Sequence, residues 1–161
     1  MQLKASCHCQ SVKFEFDSYT PYPFLRCFCS ICRKTAGGGG FAINIMGEAK
    51  TLVVKGKRHI QVYHAILGKS KNGKPIVSPG RRHFCKKCGS CLWIADKRWP
   101  KWIYPFASAI DSPLPKPPEH VNILLNYVAT WVEIPRGKRQ LNYAEFNDES
   151  IAAWHKRHHF R

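Results

Sequence analysis

The chain has 161 residues, 44% of them hydrophobic, which suits one domain with a buried core and excludes a disordered chain. Twenty-six Lys and Arg against ten Asp and Glu leave a formal net charge of +16, which excludes an acidic surface and favours anionic partners. No apolar run approaches about 18 residues, which excludes an ordinary transmembrane helix.

The opening stretch MQLKASCHCQ has no apolar signal core, so a cytoplasmic, reducing location is expected. Residues 11–17 (SVKFEFD) alternate, placing Val12, Phe14 and Phe16 on one face of a strand. A short helical turn is predicted at residues 33–36. The glycines at 37–40 form a turn after it; no Gly-Lys-Ser/Thr follows, so they are not a phosphate loop. Residues 50–55 and 59–65 read as strands. Residues 67–80 (LGKSKNGKPIVSPG) read as a hairpin or loose basic excursion around the turn signal Asn72-Gly73. Residues 92–96 read as another strand, and PLPKPP at 113–118 as an extended connector. A last helix starts from Asn147 or Asp148 as cap, with Ile151, Ala152, Trp154 and His155 on one face.

Eight cysteines in a reducing setting point to metal ligation rather than disulfides. Cys85-Lys86-Lys87-Cys88 has knuckle spacing, and Gly89 follows where the chain needs positive φ. One knuckle supplies two thiolates, so a second pair must come from Cys7/Cys9 or from the middle group Cys27, Cys29 and Cys32. C-x-C spacing puts both sulfurs on one face of an extended segment, while C-x-C-x-x-C can hold an ion by itself through three thiolates. The partition that satisfies both is Cys7, Cys9, Cys85 and Cys88 on one zinc, and Cys27, Cys29 and Cys32 on another with an open fourth position. Closed sites are structural and open ones do chemistry. Two such ions lower the net charge to roughly +13. Cys91 is left as a small buried side chain, a fourth ligand of the middle group or an alternative knuckle ligand.

These motifs resemble the glutathione-dependent formaldehyde-activating enzyme family, which includes centromere protein V. The carriers are Cys7-His8-Cys9, Cys27 through Lys34 (CFCSICRK), Phe84 through Ser90 (FCKKCGS) and the later Trp131-Val132. The resemblance spans about residues 3–135, leaving 136–161 as a C-terminal extension with a short helix. It implies a mainly β, zinc-stapled Mss4-like fold of stacked antiparallel sheets with one or two short helices, and the same ligand partition. It further implies a carbon–sulfur lyase that joins glutathione and formaldehyde as S-hydroxymethylglutathione. Cys91, the basic insert at 67–80 and the high charge depart from the family's usual form.

On this reading the catalytic group is Cys27, Cys29 and Cys32, with Arg33 and Lys34 meeting the carboxylates of glutathione or another anionic thiol. Two other functions suit the same residues: hydrolysis of a C=N bond, and non-specific nucleic-acid or chromatin binding driven by charge. His8 and His83 are expected beside the metal sites or at the surface rather than on the ions. The tail His155, Lys156, Arg157, His158 and His159 is expected to be a solvated helix end. The five tryptophans are expected to serve mainly as core and rim packing.

Overall fold

The computed structural model describes residues 1–159. In chain order its elements are β1 (Gln2–Ser6), β2 (Lys13–Asp17), β3 (Leu25–Cys27), α1 (Ser30–Ala36), β4 (Ala42–Ile43), β5 (Gly47–Glu48), β6 (Val53–Lys55), β7 (Ile60–Lys69), β8 (Pro75–Cys85), β9 (Cys91–Ala95), β10 (Trp102–Pro105), β11 (His120–Ile123), β12 (Gln140–Asn142) and α2 (Ile151–Arg157). The architecture is mainly β with two short helices, as the alternation in the sequence leads one to expect, and it is Mss4-like, as the resemblance implies. Among the described residues no helix is long and apolar enough to cross a membrane.

Two sheets are wholly antiparallel, β1-β2-β6 and β5-β10-β9-β8-β7. Leu3 and Ala5 of β1 and Phe14 and Phe16 of β2 are buried, while Lys4 and Lys13 between them face solvent. Against them the larger sheet sets Leu92, Trp93 and Ile103, with Phe14 and Trp93 centroids 4.9 Å apart. Each large side chain withdrawn from water in this seam contributes about 1.5–3 kcal/mol.

The third sheet, β12-β11-β3-β4, departs from the antiparallel expectation, because β11 runs parallel to both β12 and β3. Parallel neighbours need a long crossover, and here the whole five-stranded sheet lies between β3 and β11 in the chain. The proline-rich stretch at 113–118 is the extended connector that returns the chain to β11.

Local differences from the sequence reading have local causes. Only Val53–Lys55 of residues 50–55 pairs as strand, since Thr51 Oγ1 donates to the Glu48 carbonyl and accepts from the Asp17 N–H, winding residues 49–51 into a 3₁₀ turn. The helical turn at 33–36 begins earlier, at Ser30. Residues 67–80 are no loose excursion: β7 and β8 run through them, and the turn closes with Ser70 N–H on the Lys74 carbonyl at 2.8 Å. The cap of α2 is Ser150, whose Oγ accepts from the Ala153 N–H at 3.1 Å, whereas Asn147 bonds the Glu149 carbonyl.

The tail is docked along one face, while Lys156, Arg157 and His159 remain exposed as expected. Trp154 is fully buried and stacks on Phe24 with centroids 3.8 Å apart and planes 3° from parallel. Arg157 bridges Glu119 and Glu149, and His158 reaches Glu119. Trp93 and Trp154 are core, but Trp99 and Trp131 are exposed.

His155 is 2% exposed, donates from Nδ1 to the Ile151 carbonyl and accepts the Tyr22 N–H on Nε2 at 3.2 Å. Burial lowers its pKa below the ordinary value near 6.5. The neutral ring's contribution is therefore complete above about pH 6.5 and is lost as pH falls through the lower folded value. Trp154 fluorescence against pH should report loosening of α2 on the acid side, and His155→Asn should flatten that response. An unchanged profile in the variant contradicts the assignment.

Two candidate metal centres

The first cluster joins the β1–β2 loop to the β8–β9 turn. The sulfurs of Cys7, Cys9, Cys85 and Cys88 lie within 4.8 Å of one another. Cys7 and Cys9 sulfurs are 3.6 Å apart, and Cys9 and Cys85 sulfurs 3.8 Å. An ion about 2.3 Å from each of four tetrahedral sulfurs sets them roughly 3.8 Å apart, so the group fits zinc.

Two positive-φ residues close the loops around it, Gln10 at 60° and Gly89 at 75°. Gly89 donates to the Cys85 carbonyl at 2.8 Å, and Cys85 donates to the Ser90 carbonyl at 2.9 Å. The Val12 N–H points at Cys7 Sγ, 3.2 Å away, and Ser90 Oγ lies 3.2 Å from Cys88 Sγ. Cys7 and Cys85 are buried; Cys9 and Cys88 face solvent. The Ser90 hydroxyl and backbone draw the Cys88 pKa down to about 5, while burial pushes Cys7 up to about 11. Filling this site therefore releases the proton held on the buried Cys7 thiol.

The second cluster lies at the β3–α1 junction, where Cys27 ends the strand, Cys29 caps the helix and Cys32 sits in its first turn. The three sulfurs lie within 4.8 Å of one another. Cys32 is buried and the other two are half-buried. Cys29 Sγ accepts the Cys32 N–H at 3.3 Å. Hydrogen bonds from Cys27 and Cys32 draw Cys29 down to about 2, and the same contacts push Cys27 up. Among the described residues, no fourth Cys, His, Asp or Glu brings a ligand atom into this group.

Cys91 belongs to neither cluster. Its thiol donates to the Thr35 carbonyl at 2.7 Å, and it packs with Cys32 and Phe106. His8 is exposed, and His83 stacks on Trp93 at 4.6 Å. The turn at 37–40 is tight rather than flexible: Gly40 has φ +94°, and Val132 fills the space where a side chain would project. Arg33 is half-buried on α1 with Nε unpartnered, and Lys34 is exposed.

Arg82 is a candidate site residue that the sequence analysis did not single out. It is 9% exposed on β8, its Nε has no hydrogen-bond partner, and no carboxylate pairs with it among the described residues. Its positive charge pulls against the burial that raises Cys91, and it is a minor opposing influence on Cys32, whose pKa still lies above the ordinary thiol value. The available signal was alternation along β8, where Gly80 and Arg82 fall on the buried face. A cleft of about 450 Å³ is lined by Cys7, His8, Ser90, Ala36 and Cys91, and neither Arg82 nor the three-thiol cluster lines it.

A mainly β fold that carries a four-cysteine and a three-cysteine cluster, each able to hold a metal ion, defines the class. Residues 2–123 match the family described as Glutathione-dependent formaldehyde-activating enzyme, and the chain belongs to that family. A Halomonas elongata protein provisionally named a glutathione-dependent formaldehyde-activating enzyme is 53% identical over 157 residues, covering 98% of this chain and 96% of that protein. The crystal structure of a Rhodobacter sphaeroides protein is similar in fold, with a TM-score of 0.50 and 21% identity, covering 70% of this chain and 92% of that one.

The two clusters should respond differently to loss of one sulfur. Cys88→Ser should unfold or aggregate the protein, because a thiolate-held structural zinc contributes roughly 10 kcal/mol in small metal domains. Cys29→Ala should keep a cooperative melt and one zinc per chain while losing the more easily chelated ion. Metal analysis and thermal melts decide; a Cys29→Ala protein that unfolds like Cys88→Ser makes both clusters structural.

Proposed function

We propose that this chain is a zinc-dependent carbon–sulfur lyase that interconverts glutathione plus formaldehyde with S-hydroxymethylglutathione. The observation that carries the reading is the three-thiol cluster, which has no fourth protein ligand among the described residues, with the buried Arg82 close enough for its charge to act on Cys32. Family membership and the name of the Halomonas relative support the substrate pair.

Cys27, Cys29 and Cys32 would hold the catalytic zinc, and Cys7, Cys9, Cys85 and Cys88 the structural one. Zinc at the first set supplies an exchangeable position that favours a thiol as its thiolate. The chain's own residues do the rest. Arg82 holds positive charge where the sulfur loses its proton and where charge develops on the carbonyl oxygen. Burial strengthens that interaction, because little water competes. Arg33 and the more mobile charge of Lys34 meet the substrate carboxylates by charge-assisted hydrogen bonds.

In the forward direction the sulfur–carbon bond forms, the C=O π bond opens and the thiol proton ends on oxygen. Nothing is oxidised or reduced.

Arg82→Met should lower turnover roughly a hundredfold, the scale of one lost charge-stabilising donor, with zinc content and melting temperature close to the parent protein. Exchange between ¹³C-formaldehyde and its glutathione adduct, followed by NMR, measures this. A fully active Arg82→Met variant refutes the role given to Arg82. A wild-type protein that leaves the exchange rate at its uncatalysed value but hydrolyses imines replaces the reaction with C=N hydrolysis.

The remaining cations should give weak, sequence-indifferent binding to duplex DNA that falls steeply between low and near-physiological salt. A sequence preference that survives high salt contradicts this.

A further inference from the structure

Arg81 and Arg82 are neighbours in sequence and belong to opposite faces of β8. Arg81 shares its face with His83, on the side of the seam between the two antiparallel sheets. There it lines a cavity of about 230 Å³ together with Leu52, His83, Trp93, Asp96 and Trp102. Arg81 stands opposite Ala95 in the ladder, and His83 opposite Trp93. The small Ala95 side chain leaves room beside the guanidinium that a larger residue would fill. The His83 ring stacks on Trp93, 4.6 Å between centroids and 16° from parallel, which fixes that wall.

The charges along this cavity do not balance. Both oxygens of Asp96 are taken by Arg98, which donates from Nη2 at 2.7 Å, from its backbone N–H at 2.9 Å and from Nε at 3.1 Å. Arg98 is the main influence holding the Asp96 carboxyl low, and Arg81 a lesser one. His83 donates Nδ1 to the Arg81 carbonyl at 3.1 Å, and burial keeps its pKa below the ordinary value near 6.5, so the ring is neutral at physiological pH. Arg81 is then the one cation of the lining. Among the described residues no carboxylate pairs with it, and its Nε is buried without a hydrogen bond. A half-buried guanidinium beside Trp and Leu is costly unless an anion accompanies it.

We propose that this cavity binds a small monocarboxylate with an apolar body, the carboxylate paired with Arg81 and the body set against Leu52, Trp93 and Trp102. The planar fork of an arginine matches the two oxygens of a carboxylate. The volume falls below the roughly 300 Å³ at which drug-sized sites begin, so the ligand is small. A doubly charged anion is disfavoured, because a single cation answers it and the ionised Asp96 shares the lining. An uncharged apolar molecule would leave Arg81 without a partner. The site is separate from the proposed reaction, since neither Arg82 nor the three thiols line it.

Tryptophan fluorescence of the zinc-loaded full chain, titrated with sodium benzoate at constant ionic strength, tests this, because Trp93 and Trp102 stand in the wall. The expected result is a saturable change, with benzoate bound at least about tenfold tighter than acetate, which lacks the body, or benzyl alcohol, which lacks the charge. Arg81→Gln should weaken benzoate binding about tenfold or more, the scale of a hydrogen bond to a charged group, with zinc content and melting temperature close to the parent. Ala49→Leu, which fills the cavity and keeps Arg81, should weaken it as well. Arg82→Met should leave it unchanged. Benzoate that binds Arg81→Gln as tightly as the parent overturns the proposal, as does acetate or benzyl alcohol that matches benzoate. Absence of any saturable change overturns it too. Loss of binding in Arg82→Met, with Arg81→Gln unaffected, places the carboxylate at the three-thiol cluster and rejects this cavity.

Discussion

Four sulfurs drawn together across 76 residues of chain set the geometry on which the rest of the molecule depends. The strands are short, and several pair over only two or three residues. Closing a loop of that length by packing alone carries a large entropic cost. A metal held by Cys7, Cys9, Cys85 and Cys88 would meet that cost at one point. It would tie the first hairpin to the end of β8 and so fix the seam between the two antiparallel sheets. Because β8 also carries Arg82, the same staple sets where the buried cation lies relative to the second cluster.

The second cluster shares the ligand chemistry and differs in its surroundings. Its three thiols arise within six residues at a strand–helix junction, and no fourth ligand reaches them among the described residues. A guanidinium buried without a carboxylate is costly unless an anion accompanies it. Thiolates on a cation would supply that anion in the resting protein, and a substrate sulfur or developing oxyanion would supply it in the reaction. On the proposed reading, one buried charge thus serves both the fold and the chemistry, whereas the exposed lysines contribute mainly to the long-range field.

Much of this was legible in the chain itself. Alternation at Val12, Phe14 and Phe16 located the core strand, and cysteine spacing anticipated the two groups of sulfurs that the fold brings together. The grouping was readable because knuckle and C-x-C spacings are strict geometric demands. What escaped was non-local. The parallel placement of β11 beside β3 depends on a crossover that no local pattern encodes. The docking of Trp154 and His155 depends on Phe24 and Tyr22, far away in sequence, so a basic tail read as solvated. Arg82 was not singled out because its neighbour Arg81 masks the two-residue period of β8. Ser150 was passed over as cap for Asn147 and Asp148, which have the same propensity; only the backbone decides among them.

The central claim is that one cysteine cluster is closed and the other open to a thiol. X-ray absorption at the zinc edge of the fully loaded protein measures the mean number of sulfurs per zinc. A site with four protein sulfurs and a site with three average to three and a half. That value should rise to four when glutathione is added, with the zinc–sulfur distance held near 2.3 Å. A value of four before any thiol is added, or one that glutathione leaves at three and a half, contradicts the account.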